Sequence, residues 1–166
     1  MKSPTFLKDK IVGLGALQYL VSQWKEEGLR VVFTNGCFDL LHRGHIDYLS
    51  KAAALGDKFI IGLNSDESVS ALKGEHRPLQ DEVSRAIIMS ALAFTDAVCI
   101  FNEDTPAKMI RAITPHVMVK GGDYQVREIA GGSHIMKSGG SVVILPFLPG
   151  YSTSAIEQKI IKSNQP

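Results

Sequence analysis

The chain predicts an α/β fold, a five-stranded parallel sheet with helices on both faces, and three observations carry that prediction. Short β-branched and aromatic runs recur along the chain, stretches with apolar residues at helical spacing separate them, and glycine, proline and hydroxyl residues punctuate the junctions. Strands that alternate with helices pair in parallel through crossovers, and the crossover helices then cover both faces of the sheet. At 166 residues the chain fits a single domain, residues 1–166, with an N-terminal packing helix inside 1–29 and a core over 30–161.

The elements follow in order. Leu14, Leu17, Leu20, Val21 and Trp24 make an apolar helical stripe that Gly28 stops. Residues 31–33 are the first strand, and 44–55 a helix with Ile46, Leu49 and Ala53 on one side and Gly56 as its C-cap. Residues 59–63 are the second strand, 73–79 a loop, and 82–93 an amphipathic helix. Residues 97–100 are the third strand; Thr105-Pro106 has the cap and first-turn chemistry of a helix that ends by Pro115. Residues 117–119 are the fourth strand, and a run of small residues leads through Gly139-Gly140 to the fifth, 141–145. A last helix runs to about Ile161.

Composition narrows the function classes. Lys+Arg number 18 against 17 Asp+Glu, a net charge of +1, so nothing argues for a nucleic-acid or membrane partner, and any phosphate attraction must be local. Cys37 and Cys99 have neither metal spacing nor a disulfide pattern, which fits a reducing cytoplasm. No N-terminal stretch has the order of a secretory leader and no apolar run is long enough to span a bilayer, so a cytoplasmic location is expected.

The chemistry concentrates where the first strand hands over to its helix, at Thr34-Asn35-Gly36-Cys37-Phe38-Asp39 and His42-Arg43-Gly44-His45. Unpaired amides and the macrodipole favour an anion at a helix start, above all a phosphate. His42 and His45, three apart, share a face and can add donors, and a nearby phosphate would raise their pKa. Gly36 and Gly44 let a ligand approach the main chain. Asn35-Gly36 alone would signal a hairpin, but residues 37–45 do not alternate like a returning strand. Cys37, with no activating group beside it in sequence, is expected to line the site as a small side chain. Other candidates stand at later strand ends. Asn64-Ser65-Asp66 falls at the carboxyl edge where open α/β sheets bind ligands. Lys73, Arg77 and Arg85 read either as site cations or as solvated surface charge. Lys120-Gly121-Gly122-Asp123 offers a cation and a carboxylate, or simply a turn. Ser152 and Thr153 can cap the last helix or donate to phosphate. A P-loop and a dinucleotide fingerprint are both missing.

Taken together, the first-junction string, Asn64-Ser65-Asp66, Lys73-Gly74-Glu75-His76-Arg77-Pro78, Lys120-Gly121-Gly122-Asp123-Tyr124 and Gly150-Tyr151-Ser152-Thr153-Ser154 resemble the His-x-Gly-His nucleotidyltransferases. Within that superfamily they are most similar to the adenylyltransferases of ADP-heptose synthesis, in a free-standing form rather than fused to a sugar kinase. The resemblance implies a Rossmann-like nucleotidyltransferase fold and transfer of AMP from ATP to D-glycero-β-D-manno-heptose 1-phosphate, giving ADP-heptose and pyrophosphate for lipopolysaccharide core or related glycans. It implies His42, His45 and Lys73 as catalytic groups. Asn35, Gly36, Cys37, Phe38, Gly44, Lys120, Gly122, Asp123, Gly150, Tyr151, Ser152 and Thr153 would bind the nucleotide along with the two histidines. Asp39, Asn64, Asp66, Arg77 and Arg85 would lie on the acceptor side, although Asp39 also reads as a cap near its turn. Phe147 stands where the glycerol-phosphate and choline-phosphate branches carry an arginine.

Such a transfer needs no general base and no covalent intermediate, because a sugar 1-phosphate is already an anionic nucleophile; the difficulty is repulsion and alignment at the α-phosphorus. Mg²⁺ or a similar divalent cation would help offset that charge, with no protein metal-ligand set evident in the sequence. A separate heptose kinase is the expected pathway partner, and a homo-oligomer is compatible with the reading. Two other readings stay open: a cytidylyl- or adenylyltransferase for another small phosphorylated alcohol or sugar, and a nucleotide-binding module without turnover.

Overall fold

The structure is a computed structural model that describes residues 5–122, 125 and 128–164. After a 3₁₀ turn at Lys8–Lys10 the chain forms α1 (Leu14–Glu26), β1 (Val31–Gly36), α2 (Arg43–Ala53), β2 (Lys58–Asn64), α3 (Asp66–Lys73) and α4 (Glu82–Ala91). It continues through β3 (Ala97–Phe101), α5 (Ala107–Ile113), β4 (Val117–Gly121), α6 (Gly132–Lys137), β5 (Ser141–Leu145) and α7 (Thr153–Ser163). The five strands form one parallel sheet in the order β3-β2-β1-β4-β5, the doubly wound, Rossmann-like arrangement.

Strand alternation divides the core in two. Val31 and Phe33 of β1, Ile60 of β2 and Met118 of β4 point to the face covered by α1, α5 and α6, where Leu17, Val21, Ile110 and Ile135 are buried. Val32, Phe59, Ile61, Val117 and Val119 point to the opposite face, under Leu49 and Ala52 of α2 and Ala86 and Met89 of α4. Burying each such side chain contributes about 1.5–3 kcal/mol, so helices on only one face would leave half of these residues unrewarded.

Some boundaries differ from the sequence reading. α3 was expected as polar edge and loop, yet Ser65 caps it by accepting from the Ser68 amide, Asp66 and Glu67 suit its first turn, and Gly74 ends it at φ 99°. Its apolar period is weak, because Val69 is its one fully buried apolar side chain. α6 is likewise a six-residue helix anchored by Ile135, too short to show a period. Gly56 is not a C-cap. Ala54 takes that place, and a Cβ on Gly56 would come within 2.5 Å of the Arg30 carbonyl oxygen, so the glycine serves a close crossing of two chain segments. Thr105 does not cap α5; Pro106 stands at that position without a side-chain bond.

Candidate active site

The parallel ladder between β1 and β4 is limited to Val32↔Val117 and Phe33↔Met118, while β1 stays paired with β2 through Gly36 and β4 with β5 through Gly121. The two strands therefore separate at their carboxyl ends, at the topological switch point where such sheets bind ligands. Side chains bridge the gap: Thr34 Oγ1 donates to the Val119 carbonyl at 3.0 Å, the Tyr48 hydroxyl to the same carbonyl at 3.3 Å, and Lys120 Nζ to Asn35 Oδ1 at 2.6 Å. Above them opens a cleft of about 370 Å³. Asn35, Gly36, Cys37, Phe38 and Asp39 from the β1 end, His45 and Tyr48 from α2, Lys73 from α3 and Lys120 from β4 all border it.

The His-x-Gly-His turn is built by its glycine. His42 is the N-cap of α2, and its Nδ1 accepts from the His45 amide at 3.3 Å, which leaves the proton of the neutral ring on Nε2. The ring folds back to stack on His45, with centroids 3.9 Å apart and planes 25° apart. A Cβ on Gly44 would lie 3.0 Å from that His42 ring and 3.1 Å from Tyr151 Cβ. Gly44→Ala is accordingly expected to unstack the pair and weaken the cap, at a cost of about 1 kcal/mol in stability. Thermal unfolding together with histidine ring NMR shifts checks this; unchanged ring resonances would count against it.

Gly36 works in a similar way. Its missing Cβ leaves 3.0 Å to the ring of Phe38, which takes a positive φ of 46° and sets its edge against His45 at 5.6 Å between centroids. A non-glycine residue at positive φ is uncommon, and here it lies beside the histidine pair. On the opposite wall a Cβ on Gly121 or Gly122 would reach Phe147 at 2.6 or 2.8 Å. The double glycine thus makes a flat seat for an aromatic ring, more than a turn alone requires.

Burial dominates the electrostatics of the cleft. Burial pushes His45 down to about 4, with His42 and Lys73 adding to the effect, so its ring is neutral at pH 7. His42 is lowered too, by burial. Burial pushes the Lys120 ammonium down to about 8. A phosphate nearby would shift each group toward its charged form and offer its N–H groups a partner. The His45 Nδ1 is buried without a hydrogen-bond partner among the described residues. Burial raises Cys37 despite the pull of Lys73, Arg85 and Lys120, so it remains a thiol at neutral pH.

The remaining candidates fall in different places. Thr153 borders the cleft, whereas Gly150, Tyr151 and Ser152 line an adjoining depression of about 310 Å³ with Leu41, His42 and Ile156. Ser152 caps α7 by accepting from the Ala155 amide, and Arg43 donates to the Tyr151 hydroxyl at 3.1 Å. Gly122, at φ 108°, follows β4, and Asp123 lies outside the described residues. Asn64 borders the cleft.

Four residues expected on the acceptor side are engaged within the protein itself. Arg85 is fully buried and gives its donors to the Gln80 carbonyl, the Cys37 carbonyl and Asp66 Oδ1, at 2.9, 2.7 and 2.7 Å, which also engages Asp66. Arg77 spans from Asp39, at 2.9 Å, to Glu157 of α7. Asp39 borders the cleft, but its carboxylate accepts from the Leu79 and Gln80 amides as well as Arg77. Tyr48 and Leu72, which no motif in the sequence marks, also line the cleft. The signal for Tyr48 is its spacing, one helical turn beyond His45.

Comparison with known proteins agrees with this geometry. The family described as cytidylyltransferase-like matches residues 33–159, which includes every strand from β1 onward almost entirely. The bifunctional protein HldE of Wolinella succinogenes is 48% identical over 153 residues, covering 92% of this chain and 31% of that protein. The bifunctional protein HldE of Methylobacillus flagellatus is 48% identical over 152 residues, with the same coverage. The chain thus spans about a third of the length of the curated relatives it matches. Among solved structures, the lipopolysaccharide core biosynthesis protein from Thermoplasma volcanium GSS1 superposes with a TM-score of 0.60 at 30% identity, over 73% of this chain and 98% of that one. The pantoate-beta-alanine ligase from Francisella tularensis shares the fold alone, with a TM-score of 0.57 at 13% identity over 94% and 79%. A motif-bearing strand-to-helix junction at the switch point, matched in sequence along nearly the whole chain, makes this polypeptide a member of the cytidylyltransferase-like nucleotidyltransferase family.

Proposed function

We propose that the chain transfers AMP from ATP to D-glycero-β-D-manno-heptose 1-phosphate, releasing pyrophosphate and ADP-heptose. The observation that carries the reading is the cleft at the β1/β4 split, where His45, Lys73 and Lys120 converge beside the stacked histidines. Its support in sequence is the 48% identity to bifunctional HldE proteins.

In this reading the triphosphate lies along the start of α2, and the histidines, Lys73 and the helix amides offset charge on the departing pyrophosphate. Lys120, fixed against Asn35, faces the α-phosphorus from the β4 side and draws the acceptor phosphate into line. The acceptor oxygen forms the new bond to phosphorus as the bond to the pyrophosphate oxygen breaks. No group of three or more His, Cys, Asp or Glu suited to a metal stands together among the described residues. Mg²⁺ carried by the nucleotide's own phosphates is the form the site could accept. The sugar 1-phosphate must come from a kinase-type reaction, and the setting proposed is the cytoplasm. No helix among the described residues is long and apolar enough to cross a membrane.

The base is assigned to the depression beside α7, where Leu41, Tyr151 and Ile156 give an apolar and aromatic surface suited to a flat purine. Phosphates alone cannot distinguish ATP from CTP, so the choice must be made there. ATP is expected to be preferred at least about tenfold in kcat/KM, or about 1.4 kcal/mol. Both nucleotides competing in one reaction, with products resolved by mass, provide the test. Equal yields, or a CDP-sugar excess, would point instead to a cytidylyltransferase acting on another phosphorylated acceptor.

A further inference from the structure

A second chamber of about 270 Å³ adjoins the cleft and shares Asn35, Asn64, Leu72 and Lys120 with it as a common wall. Its far side comes from the loop after β3, with Asp104, Thr105 and Pro106, and from Glu128 and Ile129 before α6. The two chambers differ in character beyond the Lys120 they share. The cleft has Lys73, Lys120 and His45 on its walls, whereas the chamber adds two carboxylates, a hydroxyl and apolar surface.

That contrast determines what each can hold. A triphosphate is repelled by Asp104 and Glu128, whereas the hydroxyls of a neutral polyol need acceptors of that kind, and Pro106 and Ile129 can lie against its C–H face. The acceptors are available. Asp104 and Thr105 are exposed, and the Asp104 carboxylate has no hydrogen-bond partner among the described residues. Asn64 Nδ2 donates to Ser68 Oγ at 2.9 Å, and its Oδ1 accepts no hydrogen bond from the described residues.

We infer that this chamber is the polyol subsite of the acceptor: Lys120 at the junction takes the sugar's phosphate, while Asp104, Thr105 and Asn64 read the hydroxyls of the sugar and its exocyclic chain. The inference rests on the proposed sugar-phosphate adenylyltransferase reading and adds the residues that choose the sugar. A substrate laid out this way has its phosphate pointing into the cleft toward the nucleotide and its neutral end away from it.

The test uses the whole chain with Asp104→Asn and Thr105→Val, both at exposed positions. Steady-state kinetics with D-glycero-β-D-manno-heptose 1-phosphate are expected to show acceptor KM raised about tenfold in each variant, with ATP KM within about twofold of wild type. With β-mannose 1-phosphate, whose exocyclic chain is one carbon and one hydroxyl shorter, variant and wild type should differ less. Acceptor KM unchanged in both variants, with wild-type turnover intact, would overturn the subsite and leave the proposed reaction standing. Without wild-type turnover the proposed reaction fails. Calorimetric binding of the same sugar phosphate, in the presence of a non-hydrolysable ATP analogue, then decides the subsite: weaker binding in the variants supports it, and equal or absent binding overturns it.

Discussion

His45→Ala is expected to lower kcat about a hundredfold or more while ATP binding changes little, a loss of about 2.7 kcal/mol in transition-state stabilisation. The reason is the state in which the free protein holds this ring. It is clamped between the His42 face and the Phe38 edge, and burial keeps it neutral at physiological pH. A neutral, fixed donor adds little to ground-state attraction for ATP, which Lys73, Lys120 and the amides of α2 can supply. Its hydrogen bond strengthens as negative charge develops on the departing pyrophosphate, and a group that acts mainly then changes kcat more than affinity. Turnover and equilibrium ATP binding are measured on the same preparation, with circular dichroism as the control for folding. Near-normal turnover in a folded variant would return His45 to a packing role, and a loss confined to ATP affinity would make it a binding residue.

Asp39→Ala is expected to destabilise the protein by about 3 kcal/mol, because removing one partner leaves the others unsatisfied. The Asp39 side chain is 1% exposed and holds Arg77 and the amides of Leu79 and Gln80, so its loss strands two N–H groups and leaves Arg77 with Glu157 as its remaining carboxylate partner. The pH dependence follows from the same contacts. Burial alone would raise this carboxyl, but the two amides and Arg77 outweigh it and hold it below the usual carboxylate range. The unfolded chain therefore binds this proton at a higher pH than the folded one. The stabilisation is full above the unfolded value of about 3.9 and is lost as pH falls through the folded value. Denaturant unfolding between pH 7 and pH 3 should show a steeper acid loss in wild type than in Asp39→Ala. A variant with wild-type stability and only a raised acceptor KM would restore Asp39 to the acceptor side.

Much of the fold was legible in the sequence because buried strands and amphipathic helices leave periods in the chain, as Phe59-Ile60-Ile61-Gly62-Leu63 and the Leu14-to-Trp24 stripe do. α3 and α6 were not legible, since each buries one sizeable apolar side chain and one residue has no period. Residue types near the site were visible, but their commitments were not. Arg85 and Lys73 look alike in sequence, and only the fold puts one beneath the β1 end with its donors spent and the other on the cleft wall. Close approaches such as Gly44 to Tyr151, or Gly121 to Phe147, join residues far apart along the chain, so no local pattern announces them.

The short ladder between β1 and β4 has a mechanical consequence. The sheet is effectively two leaves, β3-β2-β1 and β4-β5, joined along a narrow spine at Val32↔Val117 and Phe33↔Met118 and laced beyond it by the Thr34, Tyr48 and Lys120 side chains. Rungs of backbone hydrogen bonds would have made this seam the stiffest line in the molecule. In their place stands a cleft walled by residues of both leaves, Asn35 and Cys37 from one and Lys120 and Gly121 from the other, so a ligand lodged there would touch both at once and tie them together where the backbone does not.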